Sequence, residues 1–176
     1  MSLADCQLAF WAAVRFCDPS ARVAESKRTA LGPYADRTPY GIAIGKAALK
    51  MARGFGPVAR GVVVTNADDG QGVPAGWHVM IGAHPVPDAR SLAAGEAVIA
   101  LVAGARASDV IVALISGGAS ALAERPAPGI TLDEIRARVG ALAASGAEIH
   151  AINRLRSSLS AIKGGTLARM AKAPVV

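Results

Sequence analysis

The sequence predicts one α/β domain of Rossmann-like build: a mostly parallel sheet with helices on both faces. Short apolar runs rich in branched residues, without polar alternation, recur at 40–45 (YGIAIG), 61–65 (GVVVT), 78–82 and 109–116 (DVIVALIS). Runs of that length and pattern suit strands buried on both faces. Helix-like stretches at 46–53, 89–104 and 131–144 lie between or after them, and strands that alternate with helices imply a parallel sheet. The length of 176 residues fits one ordinary domain.

Along the chain, residues 3–16 are mostly apolar and end at Asp18-Pro19-Ser20, which reads as a helix, a turn and the proline-led start of a second helix. The stretch Gly54-Phe55-Gly56-Pro57-Val58-Ala59 matches the G-x-G-x-x-A variant of the dinucleotide fingerprint. That fingerprint needs a strand before it and a helix after it. Here a helical stretch precedes and GVVVT follows, so a helix-to-strand turn is expected. Residues 131–144 open on Thr131-Leu132-Asp133-Glu134, a capping box in which Thr131 and Glu134 satisfy each other's orphan amides. The segment 147–161 reads as a further helix, with Ile149, Ile152, Leu155 and Leu159 on its apolar side. Ala173-Pro174-Val175-Val176 has the character of another buried strand opening, and the chain is expected to be a fragment, one N-terminal α/β domain over 1–176 of a longer protein.

Composition narrows the function classes. At 52% hydrophobic, 18% charged and a mean hydropathy of +0.37, the chain has ample material for a core and is far from a disordered composition. Only 4% of residues are aromatic, too few for the stacking platforms of nucleic-acid binding. The net charge of +6 is local, because five basic side chains and no acid lie beyond residue 149. No apolar run approaches the roughly 18 residues of a membrane span, and the first residues lack the pattern of a secretory signal. No membrane or nucleic-acid partner is expected, and the cytoplasm is the expected compartment. Cys6 and Cys17, 11 residues apart in one helix, read as free thiols. The histidines have no zinc spacing, so no metal ligand is assigned.

The strongest local chemical signal is Ser116-Gly117-Gly118-Ala119-Ser120, after the most apolar strand. Two glycines let backbone approach a ligand, and a following helix would present free amides and a positive dipole end to an anion. Ser116 and Ser120 add hydroxyls. Lys46 stands at the matching place after the first strand, where a lysine can neutralise phosphate charge during transfer. His84-Pro85-Val86-Pro87-Asp88 follows the third strand; two prolines stiffen the loop, and Asp88 reads equally as a site residue or as the cap of the next helix. Asn153, Arg156, Ser160 and Lys163 form a polar stripe free of acids. Arg156 offers a bidentate fork and Lys163 a point charge to an anionic ligand.

With these residues assembled, the chain resembles the N-terminal part of the type 2 glycerate kinases. The matching motifs are IGKAA around Lys46, HPVPD at 84–88, LISGGASAL at 114–122, GITLDE at 129–134, SGAEI at 145–149, and IN-x-x-R…LS-x-IKGG-x-LA over 152–168. Their order and spacing cover nearly the whole chain beyond about residue 40. Ser157 stands where the family usually has a basic residue, and the stretch 68–76 is not diagnostic. The resemblance implies transfer of the ATP γ-phosphoryl group to D-glycerate, giving 2-phosphoglycerate, with Mg2+. It also implies a cleft facing a smaller second domain. On that view Lys46 is catalytic and stabilises the transferring phosphoryl group; Ser116, Gly117, Gly118 and Ser120 form an anion cradle for ATP or glycerate; His84, Asp88, Asn153, Arg156 and Lys163 bind substrate. The general base and magnesium ligands would lie outside this chain, which alone would not turn over. A homo-oligomer is left open. Some family members are labelled hydroxypyruvate reductases, an NAD(P)H-dependent chemistry whose only fingerprint here fails on context. A non-catalytic sugar-phosphate-binding module would explain the cradle but neither Lys46 nor the acid-free stripe.

Overall fold

The computed structural model describes residues 2–176. Two helices come first, α1 (Leu3–Phe16) and α2 (Pro19–Leu31), followed by a short 3₁₀ turn, Gly32–Tyr34. Then β1 (Thr38–Ile44), α3 (Ala48–Phe55), β2 (Arg60–Thr65), β3 (Trp77–Ile81), α4 (Ala89–Gly104) and β4 (Asp109–Ile115) build the sheet and its cover. The last part is helical: α5 (Ala119–Leu122), α6 (Leu132–Ala144), α7 (Ile149–Ser158) and α8 (Thr166–Met170).

The sheet is all-parallel in the order β3-β2-β1-β4. Residues 174–176 extend it beyond β4. Ile111 N–H donates to Pro174 O at 2.9 Å, Val176 N–H to Ile111 O at 2.9 Å, and Ala113 N–H to Val176 O at 2.8 Å. The strand expected at the end of the sequence thus lies in parallel register on the β4 edge.

Side-chain alternation divides the core into two layers. Ile42, Ile44, Val62, Val64 and Ile111 face α4 through Val98, Leu101 and Val102. Ala43, Val63, Val112 and Leu114 face α3 through Leu49, Ala52 and Phe55. Both faces of the same strands are therefore apolar, which is why the sequence runs did not alternate. Glycine permits one close approach that shapes this layer: a β-carbon on Gly41 would collide with the Trp77 ring, as would one on Gly61. The GFGPVA stretch is the helix-to-strand turn expected, with Gly56 capping α3 at φ +88°.

Caps fall where the sequence put them. Asp18 caps α2 with Pro19 at its first position, and Thr131 with Glu134 closes the capping box of α6. Two expectations need correction. The helix after β1 begins at Ala48, not residue 46, so Lys46 lies in the turn before it. The helix expected to run to 161 stops at Ser158, with Leu159 as its cap.

One exposed ion pair gives the fold an acid dependence. Arg53 grips Asp69 with two nitrogens, at 2.8 and 2.5 Å, pinning the 66–76 loop to α3. The Arg53 hydrogen bond, helped by the Gln71 amide, lowers the Asp69 carboxyl from its ordinary 3.8 to about 2. A folded-state value below the unfolded one means that the stabilisation is present above the unfolded value and is lost as pH falls towards the folded one. The share of the acid decline in urea midpoint that Asp69 contributes, small for an exposed pair, is expected between about 3.8 and 2. Asp69→Asn is expected to flatten part of that decline.

Candidate functional site

In an open parallel sheet, ligands gather beyond the carboxyl ends of the strands. There the turns after β1, β3 and β4 meet. Lys46 N–H donates to Gly117 O at 2.9 Å, and Ala47 N–H donates to Ser116 Oγ at 3.1 Å, so the Lys46 turn is fastened to the glycine turn by two hydrogen bonds. Gly45 at φ +135° makes this approach possible, since a β-carbon there would collide with Ser116. Gly118, at φ +93°, is the meeting point of three segments. A β-carbon on it would stand 3.0 Å from His84 Cδ2, 3.3 Å from His84 Nε2 and 3.4 Å from Lys46 Cγ. The Lys46 side chain is exposed and, among the described residues, its ammonium has no hydrogen-bonding or ion-pair partner.

Beside this junction lies a cleft of about 380 Å³. Its walls are the 84–87 loop, Gly118 and Ser120 of the glycine turn, Ile135, Arg136 and Gly140 of α6, and Arg156 of α7. The amides of Gly117, Gly118 and Ser120 have no protein acceptor among the described residues. Free amides, a serine hydroxyl and a guanidinium on one small cleft form a donor set suited to an anion. The expected contribution from a helix dipole does not hold, because α5 is a single turn of four residues.

The sequence-predicted site residues divide. Lys46, His84, Gly118, Ser120 and Arg156 are gathered at the junction and the cleft. Ser116, through its hydroxyl, and Gly117, through its carbonyl, hold the Lys46 turn in place, while the Gly117 amide stays free among the described residues. Asp88 is the N-cap of α4: its carboxylate accepts from Arg90 N–H at 2.8 Å and pairs with the Arg90 guanidinium. That Arg90 bond, more than the cap's amides, holds its carboxyl below the usual range. Asn153 is exposed on α7 and does not line the cleft.

Lys163 is the largest departure. The helix that was to carry it ends five residues earlier, and its ammonium turns inward to Glu124 Oε2 at 2.6 Å and Ala123 O at 3.2 Å. Its side chain is 14% exposed and that of Glu124 2%. Burial lowers the Lys163 pKa, the Glu124 carboxylate opposes that, and the nearby Arg156 charge adds to it. The stripe is acid-free in sequence, yet its acid comes from 39 residues upstream. Sequence reasoning missed two residues here. Glu124, an acid in an otherwise apolar stretch, was readable as buried and paired. Arg136, one turn into α6, holds the 84–87 loop by donating from Nε to Pro87 O at 2.7 Å, a contact with no local sequence signal.

Further from the junction, an apolar hollow of about 400 Å³ opens between β4 and the 162–168 segment, lined by Ile42, Ile111, Ala113, Ile162 and Val175. Among the described residues no three His, Cys, Asp or Glu side chains converge; Glu124 on the cleft is committed to Lys163, and Asp88 in the adjoining loop to the α4 cap and Arg90. These residues do not fit a magnesium site. Among the described residues no helix is long and apolar enough to cross a membrane.

Comparison with known proteins agrees with this architecture. A family model described as a domain of unknown function, DUF4147, matches residues 5–176. The glycerate 2-kinase of Pyrococcus horikoshii is 40% identical over 136 residues, which is 76% of this chain and 31% of that protein. A protein of Agrobacterium vitis provisionally named a hydroxypyruvate reductase is 49% identical over 112 residues, 63% of this chain and 25% of that one. The crystal structure of the glycerate kinase of Thermotoga maritima superposes with a TM-score of 0.72 at 31% identity, over 90% of this chain and 41% of that one. The chain thus spans about a third of the length of the curated relatives it matches. On its motifs, its parallel sheet and these matches, the chain belongs to the DUF4147 family and corresponds to the N-terminal region of the glycerate kinases.

Proposed function

We propose that this chain is the N-terminal domain of a longer enzyme that transfers the γ-phosphoryl group of ATP to D-glycerate, giving 2-phosphoglycerate. The observation that carries the reading is the junction at Gly118, where a lysine and a glycine turn whose amides have no partner among the described residues meet a histidine at the carboxyl edge of the sheet. ATP supplies the phosphoryl group. Lys46 stabilises the negative charge on the transferring oxygens, a role in which a preorganised cation in a site of low dielectric is worth most. The amides of Gly117, Gly118 and Ser120 and the Ser120 hydroxyl hold an anionic group. Arg156 orients a carboxylate or phosphate through its planar fork, and His84 borders the same space. Magnesium would take its ligands from outside this chain, since the carboxylates here are committed elsewhere, and the chain alone is proposed to have no turnover. An intracellular setting fits these substrates.

The name carried by the Agrobacterium vitis relative favours a second reading, an NAD(P)H-dependent hydroxypyruvate reductase. Against it stands the GFGPVA turn, which ends a helix instead of following a strand, so its glycines do not cradle a pyrophosphate in the way the fingerprint requires. One pair of assays on the full-length protein separates the readings: ADP release with MgATP and D-glycerate, and loss of NADH or NADPH absorbance with hydroxypyruvate. ADP formation is the expected result. Nucleotide oxidation without ADP would replace the kinase reading with the reductase.

A further inference from the structure

Glu124 is the most deeply buried acid of the described residues and takes no part in the chemistry above. Its carboxylate is fully engaged: Oε1 accepts from Arg125 N–H at 2.9 Å and from Ser160 Oγ at 2.6 Å, and Oε2 accepts from Lys163 Nζ at 2.6 Å. Its backbone N–H donates to Ser91 O at 2.9 Å. Ser91 Oγ in turn accepts from Ala83 N–H and Asp88 N–H, both at 3.2 Å, the two ends of the His84 loop. Glu124 also borders the cleft with Arg156, and Arg156 is close enough for its charge to act on Lys163. Glu124 therefore stands between the buried Lys163 ammonium behind it and the cleft that Arg156 lines.

A buried ion pair is weak support for stability, because desolvation offsets most of the attraction. Its retention in the floor of a cleft calls for another account. We propose that Glu124 is a positioning residue: by absorbing the charge of Lys163 it leaves Arg156, which has no carboxylate partner among the described residues, free to face the cleft, and its side chain ties the segment after the glycine turn to Ser160 beyond the end of α7. The inference rests on the anion-binding reading of this cleft. It assigns Lys163 to the support of the site instead of to substrate.

The balance of charge makes the test specific. In Glu124→Gln the amide keeps the shape and one accepting oxygen, but its NH2 cannot accept from Lys163, and Lys163 and Arg156 are left with no carboxylate between them. In Lys163→Met the carboxylate is freed to pair with Arg156 and quench it. In the double variant Glu124→Gln/Lys163→Met both charges go and Arg156 again stands alone. In the full-length enzyme each single variant is expected to lose about tenfold in kcat/KM, mainly through KM for D-glycerate, as misplacement of a binding group does. The double variant is expected to recover most of that loss.

A purely structural pair would lower the melting temperature of the single variants and leave KM unmoved. Unmoved KM would overturn the proposal, as would a double variant no better than folded single variants. If Glu124→Gln does not fold, the double variant decides alone, since neutral replacement of a buried pair is tolerated: near-native KM supports the proposal and impaired KM overturns it. Absence of ADP formation by the unmodified enzyme would remove the kinase reading without touching this one. The same variants are then read by the rise in melting temperature that inorganic phosphate produces, which the single variants should lose and the double variant should keep; the opposite pattern overturns it.

Discussion

Replacing Lys46 by alanine in the full-length protein is expected to lower kcat for phosphoryl transfer by about 10²–10³-fold, the loss typical of removing one preorganised charge-stabilising group. Two features of the structure make this variant unusually clean. The backbone amide of Lys46 anchors its turn to Gly117 O, and alanine keeps that amide. The side chain beyond Cγ is exposed and unpartnered among the described residues, so its removal breaks no contact of the fold. The thermal transition should stay within about a degree or two of the parent, as for a surface substitution away from any structural feature. Because the group acts on charge that develops during transfer, kcat and kcat/KM should fall together while KM for ATP changes little. Steady-state ADP release with MgATP and D-glycerate checks both; near-normal kcat would remove Lys46 from the chemistry.

The sheet was legible in the sequence because burial on both faces writes itself as unbroken runs such as GVVVT and DVIVALI, and caps such as Asp18 and Thr131 with Glu134 are local chemistry. The strand-like character of 173–176 was legible as well, but not its place beside β4. What the sequence did not show was contact between segments far apart in the chain. The polar stripe over 153–163 assumed one continuous helix, but the backbone leaves α7 at Leu159. Ser160 then bridges to Pro126, its hydroxyl donates to Glu124, and Lys163 follows it inward. No spacing rule links positions 124 and 163. Asp88 was readable in either role, and its Arg90 partner, two residues on, decided for the cap. Lys46, His84 and Gly118 were each visible singly as residues after strand ends. Strand order puts β1 beside β4 and brings the turns after them into contact; His84, after the far edge strand β3, joins them because the chain beyond α5 crosses back to α4, where Glu124 N–H donates to Ser91 O.

Gly118→Ala is expected to impair the enzyme about as severely as loss of a reacting group's alignment, roughly 10²-fold in kcat/KM. The glycine sits at φ +93°, where a β-carbon is strained whatever the surrounding space. The space is also short: the new methyl would lie 3.0 Å from the His84 ring and 3.4 Å from the Lys46 side chain. Relief by turning φ negative would redirect the amides of Gly118 and Ser120 away from the anion they are proposed to hold. Relief by displacement would push His84 and Lys46 apart. Either way a single methyl group acts on the cradle, the lysine and the histidine together, whereas Lys46→Ala acts on one of them. The cost to folding is expected to be about 1–3 kcal/mol from the backbone strain, readable as a lower urea midpoint with an unchanged slope. Gly117→Ala is the matched control, because nothing stands within 4 Å of a β-carbon there and its φ is not positive. That variant should retain most of the activity. Equal loss in the two would mean that the turn tolerates no side chain anywhere, and would take from Gly118 its place as the junction of the site.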